Sequence, residues 1–343
     1  MSLKALLNTL SSSSRTLPIV ILYVTEGCNL RCITCSYRNA LPGELTLAEI
    51  TELAGALKQF RLRHIVYSGG EPLLRHDLPD ICDVFQNLGV KQTLLTNGLL
   101  LEKRSDELMP YFAEIIVSID GPLEHVHNII RGVESFQQIL KGVRKAVGYA
   151  KRPIISIRTV LQKQNFRYVI EMVRFARSLG ADRISFLSAD VLSDSFGRHT
   201  RGPVASNETI ILNEDEASEF RNLVDHMASE CRNDFQAGFI SESPDQLYHM
   251  VQYFEALTGK APFPRNHCNA PMVSTVITST GELQPCFFLP AFANLRNAPL
   301  KDLLNNSQIC STRREVRAYA LERCHTCVCT LHVQPLTALL DRF

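Results

Sequence analysis

The sequence lacks the features that mark membrane-embedded, secreted or nucleic-acid-binding chains. Its 36 Lys and Arg residues nearly balance 35 Asp and Glu residues, which leaves a formal net charge of +1. Such a balance gives no indication of nucleic acid or of an anionic membrane as a partner. No apolar run reaches the length of a transmembrane segment, and the N-terminus has neither a sustained apolar region nor a small-residue cleavage site. A cytoplasmic location is therefore expected.

What the chain does contain is eleven cysteines in 343 residues of otherwise ordinary composition, 45% hydrophobic and 21% charged. Clustered cysteines in a cytoplasmic chain indicate metal ligands rather than disulfides. The length allows one large domain and a smaller one. We expect a flexible N-terminal arm, a large α/β core, a connecting helical region, a small cysteine-bearing domain and a C-terminal tail, at residues 1–17, 18–190, 191–262, 263–330 and 331–343.

The first cysteine group is the triplet Cys28, Cys32 and Cys35, with gaps of three and two residues. Three thiolates on one short loop can hold three irons of a four-iron, four-sulfur cluster and leave the fourth iron open for a small molecule. A zinc site is the alternative, although a structural zinc site needs four ligands. Spacing alone does not decide between the two.

From residue 18 onward, short apolar runs alternate with amphipathic stretches. This alternation predicts a parallel sheet with right-handed helical crossovers, either open and doubly wound or curved into a partial barrel. Four polar motifs each follow one of the first four strands, so they should meet on one rim of the sheet. They are the triplet, Ser68–Pro72, Thr96–Gly98 and Ser118–Gly121. The six predicted strands are Ile19–Thr25, His64–Ser68, Lys91–Thr96, Glu114–Ile119, Ile154–Val160 and Arg183–Leu187.

Helices are predicted between these strands and after them. Thr46 and Glu49 form a capping-box pattern that opens a helix ending near Phe60, and Ser135 is expected to cap a second helix that reaches Ala150. In the last third of the chain, Ser279–Gly281 predicts a hairpin turn. The remaining predicted helices are Leu78–Leu88, Asp106–Tyr111, Tyr168–Leu179, Asn213–Glu230, Asp245–Leu257 and Arg313–Leu321.

Further motifs follow the triplet along the chain, namely Gly69-Gly-Glu-Pro72, Thr96-Asn-Gly98, Ser118-Ile-Asp-Gly-Pro122, His127 and Arg131-Gly132. With these motifs in this order, the chain resembles the radical S-adenosylmethionine (SAM) superfamily over about residues 18–190. The resemblance implies a partial (β/α)6 TIM-like barrel. It also implies a [4Fe-4S] cluster that binds SAM and cleaves it reductively to a 5′-deoxyadenosyl radical, which takes a hydrogen atom from substrate. Cys28, Cys32 and Cys35 would then be the catalytic cluster ligands.

The same resemblance implies which residues contact SAM. Gly69, Gly70 and Glu71 would line its amino group, where glycine lets the backbone approach closely. Other contacts are implied for Asn97 in the same pocket, Ser118 and Asp120 at the ribose or carboxylate, and Arg131 at the carboxylate. One departure is Thr34, since the family usually has an aromatic residue just before the third cysteine; Tyr37 is expected to fill that space.

The second cysteine region, Cys268-x12-Gly281-x4-Cys286 followed by Cys324-x2-Cys327, resembles the auxiliary-cluster domains of this superfamily, called SPASM and twitch. The missing further cysteines favour the shorter twitch type. This implies an auxiliary [4Fe-4S] cluster held by Cys268, Cys286, Cys324 and Cys327, with Cys329 as an alternative ligand. A four-cysteine zinc site is the competing interpretation.

Several functions remain open on this sequence. The auxiliary cluster would accept an electron, giving a dehydrogenase-like oxidation as in twitch-bearing aminocyclitol dehydrogenases, or would bind substrate as in the molybdenum-cofactor cyclase. A peptide-modifying maturase is a second branch, in which any leader-binding module would be a separate protein. The other class is a non-catalytic iron-sulfur or zinc scaffold. Expected partners are a small-molecule or peptide substrate and an external donor of the flavodoxin or ferredoxin type.

The remaining candidate residues have simpler interpretations. Cys82, Cys231 and Cys310 have no partner at ligand spacing and are expected to pack structurally. For His127, the sequence favours a structural role and a role at the SAM site equally. A solvated loop is the favoured interpretation for the residues that follow the sixth strand, namely Asp190, Asp194, Arg198 and His199.

Overall fold

The computed structural model describes residue 8, residues 11–329 and residues 331–334. Within them one nine-stranded sheet has the order β6-β5-β4-β3-β2-β1-β7-β8-β9. Because β6 and β9 lie at opposite ends of this order, the sheet is an unclosed partial barrel. The strands are β1 Ile19–Thr25, β2 His64–Gly69, β3 Lys91–Thr96, β4 Glu114–Ser118, β5 Ile154–Leu161, β6 Arg183–Ser188, β7 Ser274–Ile277, β8 Glu282–Gln284 and β9 Ala293–Asn294.

The six predicted strands are confirmed to within one residue at each end, and all of them are parallel. Alternate side chains point to opposite faces. One face packs under the helices and contributes Val20, Leu22, Ile65, Ile115 and Ile157 to the main core, all fully buried. The other face lines the interior of the barrel, and the rim at the carboxyl ends of β1–β4 carries the four polar motifs.

Fifteen helices are found among the described residues. Three begin with a complete capping box, at Thr46, Asn213 and Ser243, so their first backbone N–H groups are satisfied by side chains. The helices are α1 Leu47–Gln59, α2 Leu78–Gln86, α3 Leu101–Leu108, α4 Glu124–Arg131, α5 Phe136–Val147, α6 Val169–Ser178, α7 Arg198–Arg201, α8 Asn207–Ile210, α9 Glu214–Glu230, α10 Arg232–Gln236, α11 Pro244–Leu257, α12 Ala270–Val273, α13 Leu300–Leu303, α14 Ser307–Arg317 and α15 Glu322–His325.

The structure corrects some helix predictions. The helix predicted at 106–111 begins at Leu101, and its end is a separate 3-10 turn at Met109–Tyr111. Ser135 makes no capping hydrogen bond with its side chain, and the helix after it ends at Val147 rather than Ala150. The helix predicted at 313–321 begins at Ser307, because Asn306 caps it.

The C-terminal hairpin joins the barrel sheet directly, which the sequence did not indicate. β7 pairs with β1 in parallel from Ile19–Ser274 to Leu22–Ile277, and the predicted hairpin follows as antiparallel β7–β8. The two domains expected from the sequence therefore share one set of sheet hydrogen bonds.

The described residues of the N-terminal arm make hydrogen bonds to one another and to the C-terminal part of the chain. Asn8 Nδ2 donates to Thr16 O at 2.6 Å and to Met272 O at 3.3 Å, and Ser14 N donates to Asn305 Oδ1 at 2.7 Å. Residues 1–7, 9–10, 330 and 335–343 lie outside the described residues, and with them most of the predicted tail. None of the described helices is long and apolar enough to cross a bilayer.

Candidate active site and auxiliary metal site

The loop that carries Cys28, Cys32 and Cys35 follows β1 at the rim of the barrel and contains no regular secondary structure. Its internal backbone bonds are few: Cys28 N donates to Arg38 O at 2.9 Å, and Cys35 N donates to Cys32 O at 3.3 Å. A loop with so little internal bonding takes its shape from its neighbours.

The first neighbour is the glycine pair at the end of β2. Gly70 N donates to Thr25 O and Glu71 N donates to Gly27 O, each at 2.8 Å. A Cβ on Gly70 would lie 2.1 Å from Gly27 O, and one on Gly69, which has φ of +114°, would lie 2.3 Å from Thr25 O. These glycines are needed because the backbone before Cys28 lies directly against them.

The second neighbour is the end of α4. Arg31 N donates to Arg131 O at 2.9 Å, and Ile33 N donates to Ile130 O at 3.0 Å. Gly132 has φ of +70°, and a Cβ there would lie 2.2 Å from Arg31 O. The motif Arg131-Gly132 therefore holds the middle of the cysteine loop through its main chain.

The third neighbour lies beyond β6. Ser36 N donates to Phe196 O at 2.8 Å, and the thiol of Cys35 lies 3.7 Å from the same carbonyl oxygen. A Cβ on Gly197 would approach Tyr37 to about 3.1 Å. Three separate segments thus fix the loop from three sides.

The charge environment of the triplet fits a bound cluster. Burial raises the pKa of Cys28, and it raises the pKa of Cys35 to about 12, with the other two thiols adding to the second shift. Buried thiols of this kind lose their protons to bound metal, whose positive charge offsets the burial. Arg131 Nη1 lies 3.8 Å from Cys32 Sγ, so a cation already faces the loop.

Single-ion coordination is absent from the described residues, where no three His, Cys, Asp or Glu side chains converge on one metal position. In a four-iron cluster each thiolate binds a different iron, so the sulfurs stand further apart than around one zinc ion. By their number, the three thiolates of this loop suit three irons of a four-iron cluster and leave one iron open.

Glu71 and Asn97, both predicted SAM contacts, lie beside the triplet. The carboxylate of fully buried Glu71 accepts from Thr96 Oγ1 and Asn97 N at 2.7 Å and from Leu73 N at 3.0 Å. Asn97 Nδ2 donates to Asn29 Oδ1 at 2.8 Å and lies 3.9 Å from Cys28 Sγ. Glu71 therefore positions Asn97, and Asn97 faces the cysteine loop.

Asp120 and Arg131 form a buried ion pair, with Arg131 Nε 2.7 Å from Asp120 Oδ2. Asp120 Oδ1 accepts from Val160 N at 2.9 Å, so both carboxylate oxygens have protein partners. Ser118, at the end of β4, keeps partial exposure at the same rim. The SAM contacts predicted for these three residues stay predictions.

His127 is part of the scaffold beneath this pair. Its Nδ1 accepts from Asp120 N at 3.3 Å, and its Nε2 lies 3.4 Å from Ser135 Oγ. Burial lowers its pKa to about 3, so the imidazole is neutral. Of the two roles left open by the sequence, these contacts favour the structural one.

Residues of the second cysteine region line one cavity. Its lining includes all four predicted ligands, Cys268, Cys286, Cys324 and Cys327, and also Cys329. Burial raises the pKa of Cys268 to about 11 and that of Cys286 to about 12. A four-iron cluster takes four thiolates, so this cavity offers one more than it needs, and Cys329 stays an alternative ligand.

Arg323 supplies the test of whether this cavity fits a cluster. Arg323 lines the cavity, and its Nε is buried and has no hydrogen-bond partner among the described residues. Its Nη2 donates to Asp190 Oδ1 at 2.5 Å, which fixes the guanidinium in place. A buried donor without a partner is rare, and a sulfur of a cluster held by these cysteines would be its acceptor.

An aromatic cluster lies between the two cysteine sites. Tyr23 of β1 contacts Tyr37 at a ring-centre distance of 6.1 Å and stacks on Phe287, the residue after Cys286, at 6.3 Å. Phe287 in turn stacks on Phe196 at 6.4 Å. Tyr37 thus occupies a buried place beside the triplet, and Tyr23 lies near thiols of both sites, Cys35 and Cys286.

The solvated-loop prediction is wrong for Asp190 and Arg198. The Asp190 side chain is 2% exposed and pairs with Arg198, whose side chain is 9% exposed, and with Arg323. Arg198 Nη1 also donates to Asp190 O at 2.6 Å. This carboxylate joins the segment after β6 to the auxiliary cavity, because Arg323 precedes Cys324 in the chain.

The three other cysteines lie outside both sites. Cys82 and Cys231 are buried in the main core, as expected. Cys310 is half-buried, and its thiol lies 3.6 Å from Asn305 O. Sequence reasoning missed Arg323, Phe196 and Phe287; the position of Arg323 and Phe287 directly beside cysteines was the available signal.

Two family models match this chain. A model described as the radical SAM superfamily matches residues 22–176, and one described as an iron-sulfur cluster-binding domain, SPASM, matches residues 268–328. The first runs from Leu22 within β1 to beyond the end of β5, and the second runs from Cys268 to Val328. The triplet and the four predicted auxiliary ligands therefore fall inside the matched regions, and Cys329 lies one residue beyond the second.

Curated relatives carry different names. The chain is 36% identical over 161 residues to a probable GTP 3′,8-cyclase from Archaeoglobus fulgidus, which covers 45% of this chain and 53% of the relative. It is 24% identical over 295 residues to an AdoMet-dependent heme synthase from Methanosarcina barkeri, a match that covers 83% of this chain and 81% of the relative. The chain thus spans about half the length of the cyclases that it matches.

Solved structures share the fold over nearly the whole chain. Streptococcus suis SuiB bound to S-adenosylmethionine aligns with a TM-score of 0.63 and 17% identity, covering 92% of this chain and 72% of SuiB. The structure of anSMEcpe with bound AdoMet aligns with a TM-score of 0.64 and 16% identity, covering 94% and 96%. The two family matches lead to one conclusion: the chain belongs to the radical SAM superfamily, with a SPASM-type iron-sulfur domain in its C-terminal region.

Proposed function

We propose that this radical SAM enzyme oxidises its substrate in a dehydrogenase-like reaction, using the C-terminal cysteine site as the electron acceptor. The observation that carries the proposal is the aromatic cluster between the two sites, in which Tyr23 lies near Cys35 on one side and Cys286 on the other. Removing a hydrogen atom leaves a substrate radical, and completing the oxidation requires the loss of one further electron and a proton.

At the barrel rim, Cys28, Cys32 and Cys35 would hold a [4Fe-4S] cluster. When bound there with SAM, the cluster supplies reductive cleavage to methionine and a 5′-deoxyadenosyl radical. The protein's own part is to position the cofactor. Because Gly69 and Gly70 have no Cβ, another group can approach the backbone closely at the rim. Arg131 presents a cation beside Cys32. The remaining proposed SAM contacts are Glu71, Asn97, Ser118 and Asp120.

At the second site, Cys268, Cys286, Cys324 and Cys327 would hold the auxiliary [4Fe-4S] cluster, with Cys329 as the alternative. Arg323 would donate Nε to a cluster sulfur while Asp190 holds its other end. We propose 18–190, 191–262 and 263–330 as the barrel, connecting and auxiliary units; the matched ranges 22–176 and 268–328 fall within the first and third.

The test is anaerobic reconstitution with iron and sulfide, followed by dithionite and SAM. We expect about eight irons per chain, as two four-iron clusters require, together with release of 5′-deoxyadenosine. A filled first cluster that yields no 5′-deoxyadenosine would support the non-catalytic scaffold instead. A content of about four irons per chain would show that only one four-iron cluster forms. The proposed electron acceptor would then be absent. In the cell, a flavodoxin or ferredoxin in the reducing cytoplasm would replace dithionite.

A peptide-modifying reaction is the second candidate. Its support is that SuiB, which shares the fold over 92% of this chain, was solved bound to its precursor peptide SuiA. The two candidates separate on their products. With a matching substrate, oxidation lowers the substrate mass by two hydrogens, and deuterium from the attacked carbon enters 5′-deoxyadenosine. A cross-link within a peptide gives the same mass loss but adds a new connection in fragmentation spectra.

A further inference from the structure

Arg158 is a charged residue on the inner face of the barrel. Its neighbours in β5, Ile157 and Thr159, are fully buried on the opposite face, so alternation places Arg158 toward the interior. In the sheet it pairs with Ser118 of β4 on one side and Ser185 of β6 on the other. Arg158 is therefore level with the end of β4, one strand away from a proposed SAM contact.

The guanidinium of Arg158 has few protein partners. Nε donates to Ser185 Oγ at 3.1 Å, and Arg158 forms no ion pair with any described residue. Its two terminal nitrogens have no acceptor in the described part of the chain, yet the side chain is only half-buried. Those nitrogens therefore face the open interior of the barrel.

The nearby carboxylates are already engaged elsewhere. Glu242 Oε2 accepts from Phe186 N at 2.8 Å, and Glu114 Oε1 accepts from Ser156 Oγ at 2.5 Å. Burial lowers the pKa of this guanidinium, while Glu242, Glu114 and the thiol of Cys329 act in the opposite direction without reaching ion-pair distance. Arg158 remains charged, since arginine does not deprotonate in proteins.

Other enclosed arginines of the chain are compensated. Arg131 pairs with Asp120, and Arg198 pairs with Asp190. Arg313 donates to three backbone carbonyls, those of Pro271, Ser12 and Leu304. A half-buried charge without such partners loses part of its hydration without compensation, which is typical of a group kept for a ligand.

We propose that Arg158 binds a carboxylate group of the substrate inside the barrel, an assignment that rests on the proposed function and names its substrate class. The planar fork of Arg158 matches a carboxylate in two parallel hydrogen bonds. A single guanidinium also balances the one charge of a carboxylate, whereas a phosphate dianion calls for more positive charge than the described surroundings supply.

The first test is thermal stability of the reconstituted holoprotein without substrate. Arg158→Gln is expected to raise Tm, because it removes a charge that has no protein partner. The matched control, Arg198→Gln, is expected to lower Tm, because it leaves Asp190 with one of its two arginine partners. A lower Tm for Arg158→Gln would mean that Arg158 has a structural role, and would overturn the proposal.

The second test maps labelling of Arg158 by phenylglyoxal, an arginine-specific reagent, using mass spectrometry of the SAM-loaded holoprotein. Succinate and acetyl-triglycine acid are the probes, and acetyl-triglycinamide is the neutral control. We expect the acids to slow labelling of Arg158 several-fold and the amide to leave it unchanged. Exposed Arg183 of β6 reports any general effect. Stronger protection by succinate indicates a small acid, and stronger protection by the tripeptide acid indicates a peptide carboxylate.

Three results would overturn the assignment. Equal labelling with acid and amide would show that no carboxylate binds, and stronger protection by inorganic phosphate would change the ligand class. Full protection by SAM alone, measured against SAM-free holoprotein, would assign Arg158 to the cofactor. Failure of the proposed function is seen separately, as the absence of 5′-deoxyadenosine from wild-type protein, and does not alter the labelling result.

Discussion

The triplet Cys28, Cys32 and Cys35 lies within one short loop, whereas the cysteines of the second site are spread over residues 268–329. In the first site the spacing is local, but the loop has no secondary structure and is shaped by main-chain bonds to three distant segments. In the second site the spacing is long, and the cysteines are brought together by a hairpin, a helix and buried ion pairs.

This difference indicates where each site is vulnerable. The triplet depends on backbone approach at positions where only glycine fits, so a single methyl group there should disturb it. The second site depends on side-chain contacts such as Asp190 with Arg323. A change that damages one site should therefore leave the other largely intact, and the following predictions test that separation.

The largest effect is expected from removing a cluster ligand. Cys32→Ala should abolish SAM cleavage, because the cluster at the barrel rim loses one of its three thiolates. Cys286→Ala should retain uncoupled cleavage while product formation fails. The measurement is 5′-deoxyadenosine by chromatography beside product by mass spectrometry. Equal loss of cleavage in both variants would mean that the two sites do not have separate roles.

Next comes a methyl group at the rim. Gly70→Ala places a Cβ 2.1 Å from Gly27 O, so the loop before Cys28 must move. We expect iron after reconstitution to fall from about eight to about four per chain, as one four-iron cluster is lost. The control is Gly55→Ala in α1, where nothing lies within 4 Å and which should stabilise the helix by about 1 kcal/mol. If Gly70→Ala still binds about eight irons per chain, the first cluster does not require glycine at this position.

Asp190→Asn tests the side-chain dependence of the second site. It leaves Arg198 and Arg323 without their shared carboxylate, and breaking a buried pair of this kind costs about 3 kcal/mol of unfolding free energy. Denaturant unfolding with and without reconstitution gives the value. Asp106→Asn removes the exposed pair with Lys145 and should have no measurable effect. Similar denaturant midpoints for Asp190→Asn and Asp106→Asn would contradict a structural role of Asp190 in joining Arg198 to Arg323.

The smallest effect is expected between the sites. Phe287→Leu removes the rings' stacking against Tyr23 and Phe196, worth about 1 kcal/mol beyond area burial. Product per 5′-deoxyadenosine should fall several-fold while SAM cleavage persists. Phe175→Leu removes a similar stacked pair with Phe136 outside the aromatic cluster, and should leave that ratio unchanged. If Phe287→Leu leaves the ratio of product to 5′-deoxyadenosine unchanged, the aromatic cluster has no part in the proposed oxidation.

Much of the barrel was predictable because its strands are continuous apolar runs. The strand bounds at Ile19–Thr25 and Lys91–Thr96 match the prediction, and the Thr46 capping box is present. Local signals of this kind act within a few residues. Ser135 shows their limit, since a capping-type sequence is present but the side chain makes no capping bond.

The site was less predictable because its shape comes from long-range contacts. Nothing near Asp190 in sequence indicates the arginine at 323 that buries it, and nothing near Ile19 indicates its pairing with Ser274. The glycines of Gly69-Gly-Glu-Pro72 were assigned to SAM approach, but the structure also shows them packed against the cysteine loop. Motif reasoning found the residues and missed this second reason for them.

The pairing of β1 with β7 has a consequence for how the protein is made. β1 emerges from the ribosome first, but one of its two hydrogen-bonded neighbours is not synthesised until residue 277. At about 5–20 residues per second, the strand that leads to the cysteine triplet has an open edge for most of translation. Such edges pair with other chains, so nascent chains should depend on chaperones, and iron should enter the first site only after the C-terminal hairpin is in place.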